Sequence, residues 1–238
     1  MPLALGAQQF EVASVKPADP AAVGNTFNFT PGGGLTIKNS TLRGIIQSAY
    51  DVPSFQIEGG PAWMNSARYD IFAKSPFGEE PAGRPGATTM QQTRVRLQAL
   101  IADRFQLKVH RETKDVPMYV LTVGKSGAKL AAPAAVQSVP DGMHMVCGRM
   151  TGTNTTMANF ARSLTRELSR LVEDRTGLTG KYDFQVDFTP DGGACEGASA
   201  DLPSLFAALQ GTLGLKLEAT KGPMEMVVVD HAEKPSGN

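Results

Sequence analysis

Only two of the 238 residues are cysteine, one is tryptophan and three are histidine. A zinc site needs three or four ligands, so the cysteines alone cannot build one. An excess of one charge is also missing, because 23 Lys and Arg balance 23 Asp and Glu. That balance argues against a broad electrostatic footprint for nucleic acid. No stretch approaches the roughly 18 to 20 apolar residues of a membrane helix, so no transmembrane segment is expected in this chain. There is no Gly-x-Ser-x-Gly nucleophile elbow. Gly32-Gly33-Gly34 lacks the Lys-Ser/Thr of a phosphate loop and precedes a strand rather than a helix. No catalytic residue, metal or cofactor is therefore assigned.

What remains is a globular composition, 41% hydrophobic and 19% charged. The 25 glycines and 16 prolines imply many turns. Met1 to Ala7 is small and apolar, and Leu5-Gly6-Ala7 resembles the end of a signal peptide. We read 1–7 as a signal remnant and place the mature start near Gln8, in a periplasmic or secreted protein. Cys147 and Cys195 both lie in Gly-rich loop sequence, and an even pair in an exported chain suggests one disulfide. The bridge would close a loop of 48 residues, worth roughly 3 to 4 kcal/mol in the chain-entropy model. The alternatives are two free thiols, or His144 and Cys147 as half of a metal site.

Two segments read alike at a constant offset of 115 positions, Leu35 to Ile46 and Met150 to Ala161. Both run strand, Asn, Ser or Thr, Thr, apolar, helix. Arg68-Tyr69-Asp70-Ile71 then matches Lys181-Tyr182-Asp183-Phe184, Leu107-Lys108-Val109 matches Leu215-Lys216-Leu217, and Pro117 to Val123 matches Pro223 to Val229. Matches in one order argue for an internal duplication. The expected fold class is α+β, with two degenerate copies of a β-α-β-α-β-β unit and antiparallel or mixed sheets. Residues 8–130 hold two extra strands (Phe10 to Val15, Thr26 to Thr30) and copy one. Residues 131–147 form a linker, and 148–238 form copy two.

Leu42, Ile45, Ile46, Ala49 and Tyr50 share one helical face, with Ser40 or Thr41 as cap. Met157, Phe160, Ala161, Leu164, Leu168 and Leu171 repeat that face behind Thr155 or Thr156. A second helix lies within Thr89 to Phe105, with Thr89 and Gln92 as a capping box and Val95, Leu97, Leu100, Ile101 and Phe105 as its apolar side. Its counterpart starts at Asp201, with Pro203 in the first turn. Two hairpins are expected, turning at Lys114-Asp115-Val116 and at Lys221-Gly222. Val227-Val228-Val229 suggests a strand buried on both faces. Pro76 to Ala87 and Pro190 to Ala200 read as loops.

Four stretches together resemble a known family: Phe10 to Pro17, Gly59 to Trp63, Ala102 to Glu112 and Asp174 to Phe184. The chain resembles the soil-associated protein family, exported proteins found in many copies in some soil bacteria. The resemblance covers about Phe10 to Phe188, and it implies compartment and fold unit rather than chemistry. Some relatives look fused to membrane peptidases of the antibiotic-sensor type, which implies a sensing or interaction role. The strand, Asn, Leu, helix order is also similar to the short modules at the N-terminus of secretins and TonB-dependent receptors, as a likeness of fold alone.

The expected contact residues are Trp63, His110, Arg111, Asp174, Arg175 and Tyr182. His110, beside Arg111 and Glu112, suits acid–base work or an outward-facing cross-strand charge pair, and the second is favoured. Asp103-Arg104 and Asp174-Arg175 suit loop tethering, or an Arg that grips an anionic ligand. Trp63, in Gly59-Gly60-Pro61-Ala62-Trp63-Met64, suits either a ligand contact or a plug for the core. These features favour an extracytoplasmic binding or protein-interaction module over an enzyme. Its partner would be an envelope protein, a peptide or a glycan, bound at a groove between the copies near Trp63 or the Asp174 to Tyr182 loop. An envelope hydrolase using His110 or the Asp/Arg clusters is the alternative, and a structural envelope component is the third.

Overall fold

Two asparagines held in the left-handed region set the turning points of the chain. The computed structural model describes residues 9–30, 32–75, 90–134, 140–190 and 202–235. In chain order its elements begin with β1 (Val12–Pro17), β2 (Thr26–Phe29), β3 (Leu35–Thr41) and α1 (Leu42–Tyr50). Then come β4 (Ile57–Gly59), β5 (Arg68–Lys74), α2 (Met90–Arg104) and β6 (Lys108–Val123). They are followed by β7 (Gly142–Val146), β8 (Arg149–Thr156), α3 (Met157–Glu167), β9 (Val172–Asp174) and β10 (Lys181–Asp187). A short α4 (Leu205–Ala208) runs into a π-turn, Leu209–Leu213, and β11 (Leu215–His231) closes the series. The fold class is α+β, as the patterning implies.

The chain divides into two units. Unit one comprises Met1–Thr113 and Glu225–Asn238, and unit two Lys114–Met224. In unit one, β1-β5-β3-β2 forms an antiparallel sheet. Leu35, Ile37, Ile71 and Ala73 pack from this sheet against Leu42, Ile45, Ile46 and Ala49 of α1 and Leu97 and Ile101 of α2. In unit two, β10-β8-β7 is antiparallel. Met150, Phe184 and Val186 pack with Phe160 and Leu164 of α3 and with Leu205 and Leu209.

Each main sheet contains the same local device. Between Ile37 and Ser40, β3 carries one residue more than the facing β5. Asn39 sits there at φ 51°, and its N–H donates to Asp70 Oδ1 at 2.8 Å. The β8 strand shifts register against Tyr182 and Phe184 in the same way. Asn154 has φ 45°, and its N–H donates to Asp183 Oδ1 at 2.7 Å. Such a bulge kinks the strand, and Asn is among the few side chains that tolerate a left-handed backbone. Past each bulge a threonine caps the helix that follows. Thr41 accepts from the Gly44 N–H, and Thr156 from the Asn159 N–H.

Three expectations need correction. The two hairpins do not form, because β6 and β11 each run straight through the proposed turn. None of Lys114, Asp115, Val116, Lys221 and Gly222 has the positive φ that a tight hairpin turn requires. Each half of these strands instead has its own partners. In unit one, Val227–Val229 pair parallel with β4 and flank the first half of β6. In unit two, Tyr119–Leu121 pair parallel with β9 and flank the first half of β11. The element order from β3 to β6, and from β8 to β11, is therefore β-α-β-β-α-β rather than β-α-β-α-β-β. The unit boundaries fall inside β6 and β11, while the end of the 131–147 segment forms β7.

The last helix begins at Leu205 with Ser204 as its cap, so Pro203 precedes it instead of filling its first turn. Asp201, Thr89, the signal remnant, the Pro76 to Ala87 loop and most of Pro190 to Ala200 lie outside the described residues. Among the described residues, no helix is long and apolar enough to cross a membrane.

Candidate functional site

Unit one contains a cavity of about 220 Å³, walled on one side by the segment through Phe10, Glu11 and Ala13. The other wall is one face of α2. Arg96, Ala99, Leu100, Asp103 and Arg104 all line it, at the i, i+3, i+4, i+7, i+8 spacing of a single helical stripe. Arg96 and Arg104 are two turns apart, about 12 Å along the axis. Leu97 and Ile101, a step round the helix, are 0% exposed and face the core.

Arg96 dominates this stripe. It is 3% exposed, and burial pushes its guanidinium below the ordinary arginine value. Guanidinium carries five N–H donors in a planar fork that matches a carboxylate. Arg104 is half-buried, with its Nε 3.4 Å from Asp103 Oδ2. Phe10 and Leu100 add apolar surface. The lining thus combines the buried Arg96, the adjacent Asp103 and Arg104, the polar Gln9 and Glu11, and the apolar Phe10 and Leu100.

The sequence pattern misses Arg96. It places Val95 on the apolar side of α2, whereas Val95 is half-buried and Arg96 takes the inward position. The signal is present in the spacing, because a helix that buries Leu100 also buries the position four residues earlier. An arginine there breaks the apolar pattern, and such a break is where a site is to be sought.

The six expected contact residues divide between the units. In unit one, Trp63 lies on a 3₁₀ turn, Ala62–Asn65. Its ring stacks on Phe105 at 6.5 Å and meets Tyr69 edge-on at 6.4 Å. It is half-buried against the unit-one core. His110 is exposed on β6, with Nδ1 2.9 Å from Asp230 Oδ1 on β11. Arg111 is exposed and ion-paired with Glu225. Tyr50, at the end of α1, is raised above the ordinary phenol value by burial, an effect that the nearby Arg111 charge opposes.

In unit two, Asp174 Oδ1 accepts from both the N–H and the hydroxyl of Thr176, at 3.0 and 2.8 Å. This fastens the turn before Gly177. Arg175 is exposed and pairs with Glu173 at 2.9 Å. Tyr182 packs half-buried on the unit-two core. The described contacts of His110 form an exposed cross-strand pair with Asp230.

Cys147 is exposed in the turn between β7 and β8, and no cysteine is free among the described residues. Cys195 lies outside them. His144 Nε2 is 2.6 Å from the Pro140 carbonyl. Among the described residues no three metal-ligating side chains converge.

A family model described as a protein of unknown function, DUF3738, matches residues 43–232. The chain belongs to the DUF3738 family. The DUF3738 match takes in α1 to β11, and with it the α2 wall of the cavity, but not the Phe10 to Ala13 wall. No curated protein and no solved structure matches the chain.

Proposed function

We propose that this DUF3738 chain is an extracytoplasmic binding module, sensory in role, and not a hydrolase. The cavity against α2 carries this reading. It places a buried guanidinium beside apolar surface in a space sized for a small ligand or the end of a peptide. Its volume lies below the roughly 300 to 1,000 Å³ of sites for drug-sized ligands, so it suits only a small group. His110 pairs with Asp230 across two strands in an exposed position, the arrangement of a surface charge pair, and this favours the binding module over the hydrolase.

The proposed compartment rests on the even pair Cys147 and Cys195. Resemblance to the soil-associated protein family supports the same compartment. The matching bulges at Asn39 and Asn154 support the duplication. His110, Arg111 and Arg175 present exposed charged side chains and are the proposed contacts for an envelope protein, peptide or glycan. Trp63 in unit one, and Asp174 and Tyr182 in unit two, complete the proposed contact set.

Native mass spectrometry of the chain recovered from the envelope fraction tests the reading. The expected spectrum shows a small-molecule adduct that is lost on denaturation and absent from refolded protein. Recovery from the cytoplasm, or bare protein from every preparation, would overturn it.

A further inference from the structure

The outer face of the unit-one sheet has a pattern of its own. Val15, Ile71 and Ile37 of β1, β5 and β3 face the core, so the residues that alternate with them face away from α1 and α2. The register sets Ser14, Phe72, Thr36 and Asn28 side by side in one row across the four strands. At the spacing of neighbouring strands the row is about 14 Å long. Phe72, 49% exposed, is its aromatic centre.

Three lysines surround this row. Lys16, Lys38 and Lys74 each stand two residues along a strand from it, about 7 Å away. All three are exposed, and among the described residues none is in an ion pair. Asp70 is the only acidic residue in the four strands. The face is therefore cationic in a chain without net charge, and it calls for an anionic partner.

We propose that this face binds an acidic polysaccharide, a chain of uronic acid sugars. Phe72 covers the apolar C–H side of one sugar ring. The lysines meet the carboxylates. The hydroxyls of Ser14 and Thr36 and the amide of Asn28 both donate and accept, as sugar hydroxyls do. Asp70 separates this partner from a nucleic acid, because it accepts from a hydroxyl and repels a phosphodiester chain. The inference goes beyond the α2 cavity, since α2 packs on the opposite face of the sheet.

The test is a calorimetric titration of the full chain, at low salt, with tetragalacturonate, its neutral methyl ester and a single-stranded oligothymidylate. Tetragalacturonate is expected to bind, with the ester and the oligothymidylate each at least about tenfold weaker, as the loss of a charge-assisted contact implies. Phe72→Thr keeps a strand-forming residue at an exposed position, and is expected to weaken tetragalacturonate about tenfold. Should that variant fail to fold, the combined Lys16→Gln, Lys38→Gln and Lys74→Gln variant decides, and it is expected to abolish binding.

Equal affinity for the ester or for oligothymidylate overturns the proposal. So does unchanged binding in Phe72→Thr or in the lysine variant, or no binding of tetragalacturonate at millimolar concentration. Each of those results would leave the adduct expected in the α2 cavity untouched.

Discussion

Replacing Asn39 separates the two parts of the bulge that starts the unit-one helix. Asn39 is 6% exposed and holds φ 51°. Its Nδ2 donates to the carbonyls of Ala22 at 3.0 Å and Gly24 at 2.5 Å. Asn39→Gly keeps the backbone conformation and removes both bonds, at about 1 kcal/mol each, so about 2 kcal/mol is lost. Asn39→Ala loses the same bonds and also forces a Cβ into the left-handed region, which costs about 1 to 2 kcal/mol. The smaller chain entropy of unfolded alanine returns about 0.4 to 1 kcal/mol of that. Asn39→Ala is therefore expected near 3 kcal/mol, about 1 below the glycine variant. Trp63, the single tryptophan, packs in the unit-one core, so its fluorescence in a urea titration reports this unit. The reasoning is refuted if alanine is no worse than glycine, or if either change costs under about 0.5 kcal/mol.

Other expectations follow from the same contacts. Neither Cys147 nor Cys195 is expected to react with an alkylating agent before reductant is added, and Cys147→Ser should cost roughly 3 to 4 kcal/mol. Free labelling of both thiols in the native protein would remove the bridge and the chemical support for export. Changing Lys114-Asp115 to Asn-Gly installs a tight-turn signal where β6 runs straight, and should destabilise by about 1 kcal/mol or more, since glycine weakens a strand interior. A stabilised variant would instead restore the hairpin reading. Asp187 is held below the usual carboxylate range, mainly by a hydrogen bond from Arg149 and then by one from Gln185. A depressed carboxylate contributes stability above its unfolded value, near pH 4, and loses it as pH falls through the lower folded value. Asp187→Asn should flatten the acid limb of an unfolding-versus-pH curve, and an unchanged limb would contradict the assignment.

Much of the fold is legible in the residues because local chemistry decides it. The Asn-Ser-Thr-Leu and Asn-Thr-Thr-Met runs end a strand and cap a helix, and both do so through Thr41 and Thr156. The alternation of Phe184, Val186 and Phe188 marks a half-buried strand, and all three are buried. What fails is non-local. Proline and glycine near the middle of β6 and β11 look like turns, yet the partners of those strands, β4 and β9, lie far away in sequence. Nothing in Lys114 to Val116 reveals that a separate strand awaits Tyr119–Leu121. The candidate site is partly legible in the same sense. Arg104 stands out as a potential anion grip beside Asp103, whereas Arg96 hides in a helical pattern that expects an apolar residue.

An amide chemical-shift comparison of the chain recovered from the envelope fraction with the denatured and refolded chain tests the central claim, that the α2 cavity of unit one is the binding site. Shifts confined to Phe10–Ala13 and to the stripe from Arg96 to Arg104 are the predicted result. Shifts centred on Trp63, on the Asp174 to Tyr182 loop or on His110, with the α2 stripe unmoved, would contradict it.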